Sequence, residues 1–587
     1  MSSAVGIKLG SNPKSKGAEG LDQRNMALIV AALVAAGCTW HWSLVQRNTR
    51  TVEIIVAEYR FVAGVSLLIV ALLYRFRGSI YSRDLGYRLN GFPKAHGWLL
   101  DGPFAIGMFG CIWVLGMRQF GGYDHSAMIE AAWVQFSSLV PFKDYPSTLP
   151  PLFIFGSRYA LLFFGVRWSA FVLQMAVFAV LSFFFLSGQL RSLGIPPVGA
   201  TMLALVAEVG TTVVCSFWWY NPVTSIVVAM VFVSTLSCLT HGREFRAWVL
   251  LGISFTLLVL SKPNAWPAGA CVALLYATRD AGPRMKALAV LILGVALSGI
   301  ICWIEGLNPI GVLRTYSAIT ETRGNPWTLM GLKDFPPVER TIMLRSTAVI
   351  AFLFLAVLIS NRDELQQYWR EYSCCVITAC TSLIMASTNY ELKTSDLMPL
   401  VVALAVASFR PWSKRRLGGF GRAATVMLIA LFVTLSCYWG VTRLRARGIG
   451  EGVFFENVKT ETIPTGFFAG LHSGPRLIIV TRQVEEALDK YPSKRVFFGP
   501  RMEFSYAAFR RDPPAGLPLW WHPGSSFSTR DLSAVCAAFE KDDFDLMVFL
   551  KNDRTRMPLV ILRRKLNSYV QVAGFSELDV YVRRKGA

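Results

Sequence analysis

Apolar stretches of about 17–22 residues, parted by short polar or basic segments, recur along most of the chain. An α-helix of about 20 residues crosses a hydrocarbon core of about 30 Å. A backbone in lipid must satisfy its own polar groups, so these stretches are expected to be helices. The pattern predicts spans at about 26–45, 53–74, 98–117, 168–187, 197–217, 222–240, 247–262, 264–278, 286–304, 342–360, 373–388, 395–410 and 423–441. After residue 448 the apolar runs shorten to strand length: RVFFG (495–499), PLWWH (518–522), DLMVFL (545–550), YVQVAGF (569–575) and DVYVRR (579–584). Helical patterns such as TRQVEEALDKY and TRDLSAVCAAFEKDD separate them, and that alternation predicts an α/β domain.

The fold class expected is thus a polytopic α-helical membrane protein of about 13 spans with a C-terminal extracytoplasmic α/β domain. Its parts are a disordered cytoplasmic tail (1–25), a membrane region (26–447) and a soluble domain (448–587). Lys and Arg gather in alternate loops, among them Arg75, Arg77, Arg83, Arg88 and Lys94, then Arg243 and Arg246, then Arg410, Lys414, Arg415, Arg416 and Arg422. The positive-inside rule puts those loops in the cytoplasm. Parity then carries residues 118–165, the long segment 305–341, the turn 388–396 and the C-terminal domain to the other face.

Composition adds little that this pattern lacks. The 587 residues are 53% hydrophobic and carry a formal net charge of +22; the mean hydropathy is +0.44. A charge of that size suggests nucleic acid in a soluble protein, but here it lies in inner loops and no nucleic-acid motif accompanies it. All of the 11 cysteines except Cys536 fall in or beside predicted spans, without CxxC spacing, and read as apolar fillers. The six histidines form no HExxH or HxxxH pair, so no built-in metal site is expected. No cofactor is called for, and a need for a divalent cation stays open.

The segment 118–165 is too polar to cross a bilayer and too aromatic for a free loop. It holds Asp124, His125, Glu130, Lys143 and Asp144, and a Pro150-Pro151 step leads into an apolar run with Arg158 in its middle. That run, 150–164, is expected to lie along the membrane interface. Acids, aromatics and bases at a membrane edge suit one lipid-soluble and one water-soluble reactant. Two further acids, Glu58 and Glu208, fall within predicted spans, where ionisable groups default to a functional hypothesis. Glu58 with Arg60 sits near the start of its span; for Glu208 a structural pairing and a role beside a lipid channel stay equally open.

The order of these features resembles the GT-C glycosyltransferases, the superfamily of protein O-mannosyltransferases and bacterial lipid A aminoarabinose transferases. The residues that carry the resemblance are GGYDHSAMIEAA (121–132), VPFKDYPSTLPPLFIFGSRYALLFFG (140–165) and LGISFTLLVLSKPNAWPA (251–268). Many relatives have two adjacent acids at the first position, where this chain has Asp124-His125. The first two spans look like an N-terminal addition. The resemblance implies a bacterial inner-membrane enzyme with its active site on the extracytoplasmic face. Its donor would be a sugar on a polyprenyl phosphate, transferred with inversion to a glycan, lipid or protein acceptor.

Such a donor brings its own leaving group, so the enzyme needs a base for the acceptor and cations for the departing phosphate. Asp124 is assigned as the base, its alternative being a helix N-cap. Asp144 is assigned to position substrate, its alternative being a turn former. Lys143, Arg158 and Lys262 are candidates for the phosphate or for snorkelling to headgroups. His125 would contact substrate and assist proton transfer or sit at the surface, and Glu130 is expected on a solvated helix face. A transporter or flippase for a lipid-linked or polar solute is the rival reading, and an inactive assembly subunit of the same fold is a third.

Overall fold

The computed structural model describes residues 97–323, 362–409 and 461–584, apart from breaks at 119, 123, 138, 242–243, 278–280, 389–393, 524–525, 552 and 554–556, together with the isolated positions 355, 358 and 359. The tail 1–25, the spans at 26–45, 53–74 and 423–441, most of 342–360 and the basic cluster 410–422 lie outside the described residues.

The helical part runs α1 (Gly97–Gly116), α2 (Asp124–Trp133), α3 (Pro151–Phe164), α4 (Trp168–Ser192), α5 (Pro197–Glu208), α6 (Tyr220–Thr240), α7 (Phe245–Leu260), α8 (Ala270–Tyr276), α9 (Ala281–Ile304), α10 (Pro309–Arg323), α11 (Trp369–Thr388) and α12 (Thr394–Phe409). Four helices among the described residues are long and apolar enough to cross a membrane: 99–116, 168–192, 220–240 and 282–304. Burial separates their roles. The apolar window of α6 is 89% buried and that of α9 only 28%, so α6 is the central post and α9 turns its Ile, Leu and Trp side chains outward.

Two expected spans take other forms. The stretch 197–217 is α-helical only to Glu208, then winds through a π-helical turn (Val209–Val213), and ends at Ser216 with φ 59°. The stretch 264–278 is a 3-10 helix (Pro263–Gly269) followed by the seven-residue α8. Pro263 and Pro267 deny amide donors there, which an uninterrupted α-helix requires. Part of the expected long loop 305–341 is helix, namely α10.

The C-terminal region holds a short ribbon, β1 (Glu461–Thr462) with β2 (His472–Ser473), then α13 (Pro475–Lys490), β3 (Val496–Phe498), α14 (Phe504–Ala508), α15 (Leu532–Lys541), β4 (Leu546–Leu550), α16 (Leu559–Leu566), β5 (Tyr569–Val572) and β6 (Leu578–Arg583). The four-stranded sheet has order β3-β4-β6-β5; β3 and β4 are parallel and the other pairs antiparallel. The expected strand at 518–522 does not form. Pro513, Pro514, Pro518 and Pro523 surround it and remove ladder donors, leaving Trp521 to pack as a loop residue against Phe497 and Phe539.

Strand alternation gives this sheet two cores. Phe497, Met547 and Tyr569 join a small cluster with Phe527 and Phe539. On the other face Val496, Phe498, Leu546, Val548 and Val580 belong to the same apolar cluster as α2, α3, α4 and α6. The sheet region and the helical bundle therefore share one core.

At the end of the bundle away from this region, Asp101 of α1 is 1% exposed and joins three helices. Its Oδ1 pairs with Arg191 Nη2 at 2.5 Å and accepts from Thr201 Oγ1 at 2.7 Å, while Oδ2 accepts from Ser187 Oγ at 2.8 Å. Removing one partner of such a pair leaves a buried charge uncompensated, which costs about 3–5 kcal/mol. Asp101→Ala is therefore expected to lower the melting temperature of the purified protein sharply, and Asp101→Ala/Arg191→Met to recover part of the loss. A double variant whose loss is the sum of the single ones would contradict the coupling.

Candidate functional site

The site begins where α1 ends. Gly122, at φ 87°, takes a left-handed turn that favours glycine and swings the chain from α1 into α2. Every residue of α2 from His125 to Ala132 is buried. That burial is unusual for DHSAMIEAAW, a segment with two acids and a histidine, and it follows from a sandwich. On one side lies α3, begun by Pro151 at its first position, where proline is preorganised. On the other lies α14 of the C-terminal region. Ser126 Oγ donates to the Arg501 carbonyl at 2.8 Å and Trp133 Nε1 to the Arg511 carbonyl at 2.8 Å. Arg501 itself has φ 70°, a conformation that non-glycine residues hold only when their surroundings impose it.

The aromatic residues around the start of α2 close this joint. Phe120 packs on Phe468 and Phe504 of the C-terminal region, at 4.6 and 5.3 Å between ring centroids, and on Trp168 at 5.2 Å. His125 sits inside this group, 4.2 Å from the Phe217 ring and 5.5 Å from those of Phe120 and Trp168, and its Nδ1 accepts from the Gly121 amide at 3.4 Å. The histidine is thus a buried wall residue, enclosed by a cage of three aromatic rings of the helical part, one of which, Phe120, packs in turn on the C-terminal region. Asp124, the first residue of α2, is half-buried at the rim of that cage.

Asp144 lies in the loop after α2. Its Oδ2 accepts from the Val140 amide at 2.8 Å, its own amide donates to the Val140 carbonyl at 2.9 Å, and its carbonyl accepts from the Gly516 amide at 2.6 Å. The carboxylate therefore ties a tight loop, with Phe142 at φ 64°, and that loop touches the C-terminal region. Lys143 stands exposed at its tip.

The remaining cations are held separately. Arg158 of α3 pairs with Glu305 Oε2 at 2.7 Å, and Tyr159 donates to the other oxygen of the same carboxylate. Lys262 Nζ lies 3.3 Å from Asn221 Oδ1 and 5.0 Å from the centre of the Tyr220 ring. Gly156 sets the depth of α3 in the bundle: a Cβ there would meet the Trp218 ring at 2.5 Å. Asp124 and His125 thus open α2 and the Lys143–Asp144 loop follows it, whereas Arg158 and Lys262 are held by other elements, through Glu305 and Asn221. Among the described residues, no three of His, Cys, Asp and Glu come together as a metal site.

Sequence reasoning put Glu130 on a solvated face; it is buried, because α14 covers that face of α2. With it come residues that gave no sequence signal, above all Glu503, which is 373 positions away and also buried. Among the described residues, no hydrogen bond of ordinary geometry reaches Glu130 Oε2, either Glu503 oxygen, the Tyr145 hydroxyl or the Ser505 hydroxyl. Burial and then the Glu503 charge push the Glu130 carboxyl well above its usual range. Burial raises Glu503 to about 8, Asp553 adds to the rise, and the nearby amides of Glu503 and Arg501 offset part of it.

A carboxyl that holds its proton more tightly folded than unfolded stabilises the fold at low pH and loses that contribution as pH rises through its folded value. The window for Glu503 runs from about 4.5 to about 8, with a slope of at most about 1.4 kcal/mol per pH unit. Wild type is therefore expected to lose thermal stability across that window relative to Glu503→Gln, which keeps the shape without the titration. Parallel pH profiles of melting temperature for the two proteins would contradict the buried-acid account.

No family model matches the chain, and no curated protein does. Among solved structures the chain is similar to ArnT from Cupriavidus metallidurans, a lipid A aminoarabinose transferase, in two states. With the structure bound to undecaprenyl phosphate the identity is 12% and the TM-score 0.48, over 84% of this chain and 99% of that one. With the apo state the values are 13% and 0.47, over 83% and 98%. It is also similar to an oligosaccharyltransferase from Archaeoglobus fulgidus in complex with Zn and sulfate, at 14% identity and a TM-score of 0.40, over 82% of this chain and 73% of that one.

Proposed function

We propose that this chain is an inverting glycosyltransferase of GT-C type that moves a sugar from a polyprenyl phosphate to an acceptor on the extracytoplasmic face of the membrane. The observation that carries this reading is the seat of Asp124. It stands half-buried where an apolar helix of spanning length ends, at the start of a helix enclosed between α3 and the C-terminal region.

In the proposed reaction Asp124 accepts the proton of the acceptor hydroxyl as its oxygen attacks the anomeric carbon. The bond from that carbon to the phosphate oxygen breaks, and the phosphate leaves with the electron pair. One displacement inverts the configuration and requires no covalent intermediate. Lys143, exposed on its loop, is the cation best placed to meet the departing phosphate. Asp144 acts through that loop, which its carboxylate ties to the Val140 amide, and is a positioning residue. His125 and its aromatic neighbours form the wall behind Asp124. Arg158 and Lys262, held by Glu305 and Asn221, serve the interfacial side of α3, where a prenyl chain would lie. The C-terminal region, proposed to face outward, completes the site by covering α2.

A transporter would also account for the many spans and for Glu208, an acid within a predicted span. Glu208 is fully buried, and its oxygens accept from Ser182 Oγ at 2.6 Å and Thr212 Oγ1 at 2.7 Å. Those bonds support a structural pairing around the π-helical turn.

The test is incorporation of labelled sugar from a polyprenyl-phosphate donor into membrane material. Asp124→Asn is expected to lower turnover by about 10² or more while donor binding and expression persist. Asp144→Asn, whose amide oxygen still accepts from Val140, should cost much less than Asp144→Ala, which releases the loop. Near wild-type transfer by Asp124→Asn would end the assignment of the base.

A further inference from the structure

A second cationic feature lies beside the aromatic cage. The end of α1, the corner between α3 and α4, and the loop between β1 and β2 enclose a groove of about 360 Å³. Three basic side chains from distant parts of the sequence line it: Arg118, Arg167 and His472. Its other wall is apolar, with Trp113 and Val114 of α1 38% and 48% exposed. Among the described residues neither arginine lies within ion-pair distance of a carboxylate. Arg167 Nε donates to the Phe164 carbonyl at 3.0 Å, which fixes the guanidinium and leaves its terminal nitrogens to the groove. The His472 amide donates to the Met117 carbonyl at 2.9 Å, so the ribbon is pinned to the end of α1. Ser169, in the first turn of the 25-residue α4, also lines the groove; that helix begins without a side-chain cap and directs its positive end there.

From this combination we infer that the groove binds the phosphate headgroup of an anionic membrane lipid, in the leaflet on the side of the C-terminal region. The level is set by α1 and α4, both apolar and of spanning length. Arg118 follows the last turn of α1 and Arg167 precedes the first turn of α4, which is headgroup depth. The exposed flank formed by Trp113 and Val114 runs from there towards the hydrocarbon and offers the acyl or prenyl chain its path; tryptophan is at home at that boundary. A soluble phosphate compound would gain nothing from that flank. The site is separate from the Asp124 loop and does not depend on the transfer reaction, and one occupant joins three elements: the bundle, the interfacial helix and the C-terminal ribbon.

The experiment uses the full-length protein, purified in zwitterionic detergent and titrated with phosphatidylglycerol, phosphatidylcholine, polyprenyl phosphate and inorganic phosphate, with bound lipid read by native mass spectrometry. Wild type is expected to bind phosphatidylglycerol in preference to phosphatidylcholine, and Arg118→Gln/Arg167→Gln to lose about tenfold or more of that preference, at about 1 kcal/mol per arginine near a charged headgroup. Arg118→Lys/Arg167→Lys should keep most of it, and unchanged melting temperatures of the variants will separate binding from folding. Equal binding of phosphatidylglycerol and polyprenyl phosphate would assign the site to the phosphate itself, and tighter binding of polyprenyl phosphate would assign it to the prenyl-linked form. Absence of any preference over phosphatidylcholine, a preference that the glutamine variant retains, or binding of inorganic phosphate as tight as that of the lipids would overturn the inference.

Discussion

The burial of α2 is the constraint on which the rest of the structure depends. A ten-residue helix with an aspartate, a histidine and a glutamate has no intrinsic reason to leave water, and a short isolated helix is marginal in any case. It is held because apolar groups from both halves of the chain close around it: Phe120, Trp168 and Phe217 from the helical part, Phe468 and Phe504 from the C-terminal region. Aromatic pairs of this kind contribute about 0.5–1.5 kcal/mol each beyond their buried area, and the shared apolar cluster does the remainder. The hydrogen bonds from Ser126 and Trp133 to backbone carbonyls of the C-terminal region then fix how the two halves meet. Burial by this means also explains the two raised carboxyls, because the same closure that shelters Asp124 takes Glu130 and Glu503 out of water.

Much of the helical architecture is legible in the sequence, since a stretch that must satisfy its backbone in lipid announces itself by length and hydropathy. The ends of α1 and α6 fall close to the expected limits, while α4 runs on to Ser192 past the expected end at 187 and α9 begins at Ala281 before the expected start at 286. Prolines account for part of what differs. KPNAWPAG reads as apolar enough to cross, yet its prolines turn it into a 3-10 segment, and PLWWH has strand composition amid prolines that forbid a ladder. The π-helical turn after Glu208 has no sequence signature that hydropathy registers.

The site was legible only in its local parts. Asp124, His125, Lys143 and Asp144 stand on one short segment, and the structure keeps them around one helix. The turn-forming geometry that is the alternative for Asp144 is present in its bond to the Val140 amide. The burial of Glu130 was not legible, because the segment around Glu503 that faces it lies more than 300 positions downstream, and that of His125 rests on Phe120, Trp168 and Phe217, which only the fold brings together. No periodicity within DHSAMIEAAW distinguishes a solvated face from one roofed by a distant segment. For the same reason the groove between Arg118, Arg167 and His472 is a product of tertiary structure alone.

As proposed, the transfer is a single displacement, with a carboxylate base at the start of α2 and polyprenyl phosphate as the leaving group. The most direct measurement is the anomeric configuration of the product formed from a donor of known configuration, read by NMR together with the polyprenyl phosphate released. Inversion, with one polyprenyl phosphate released per sugar transferred, is the result predicted. Retention of configuration, or loss of the lipid donor from one face of the membrane without cleavage of its sugar–phosphate bond, would contradict it.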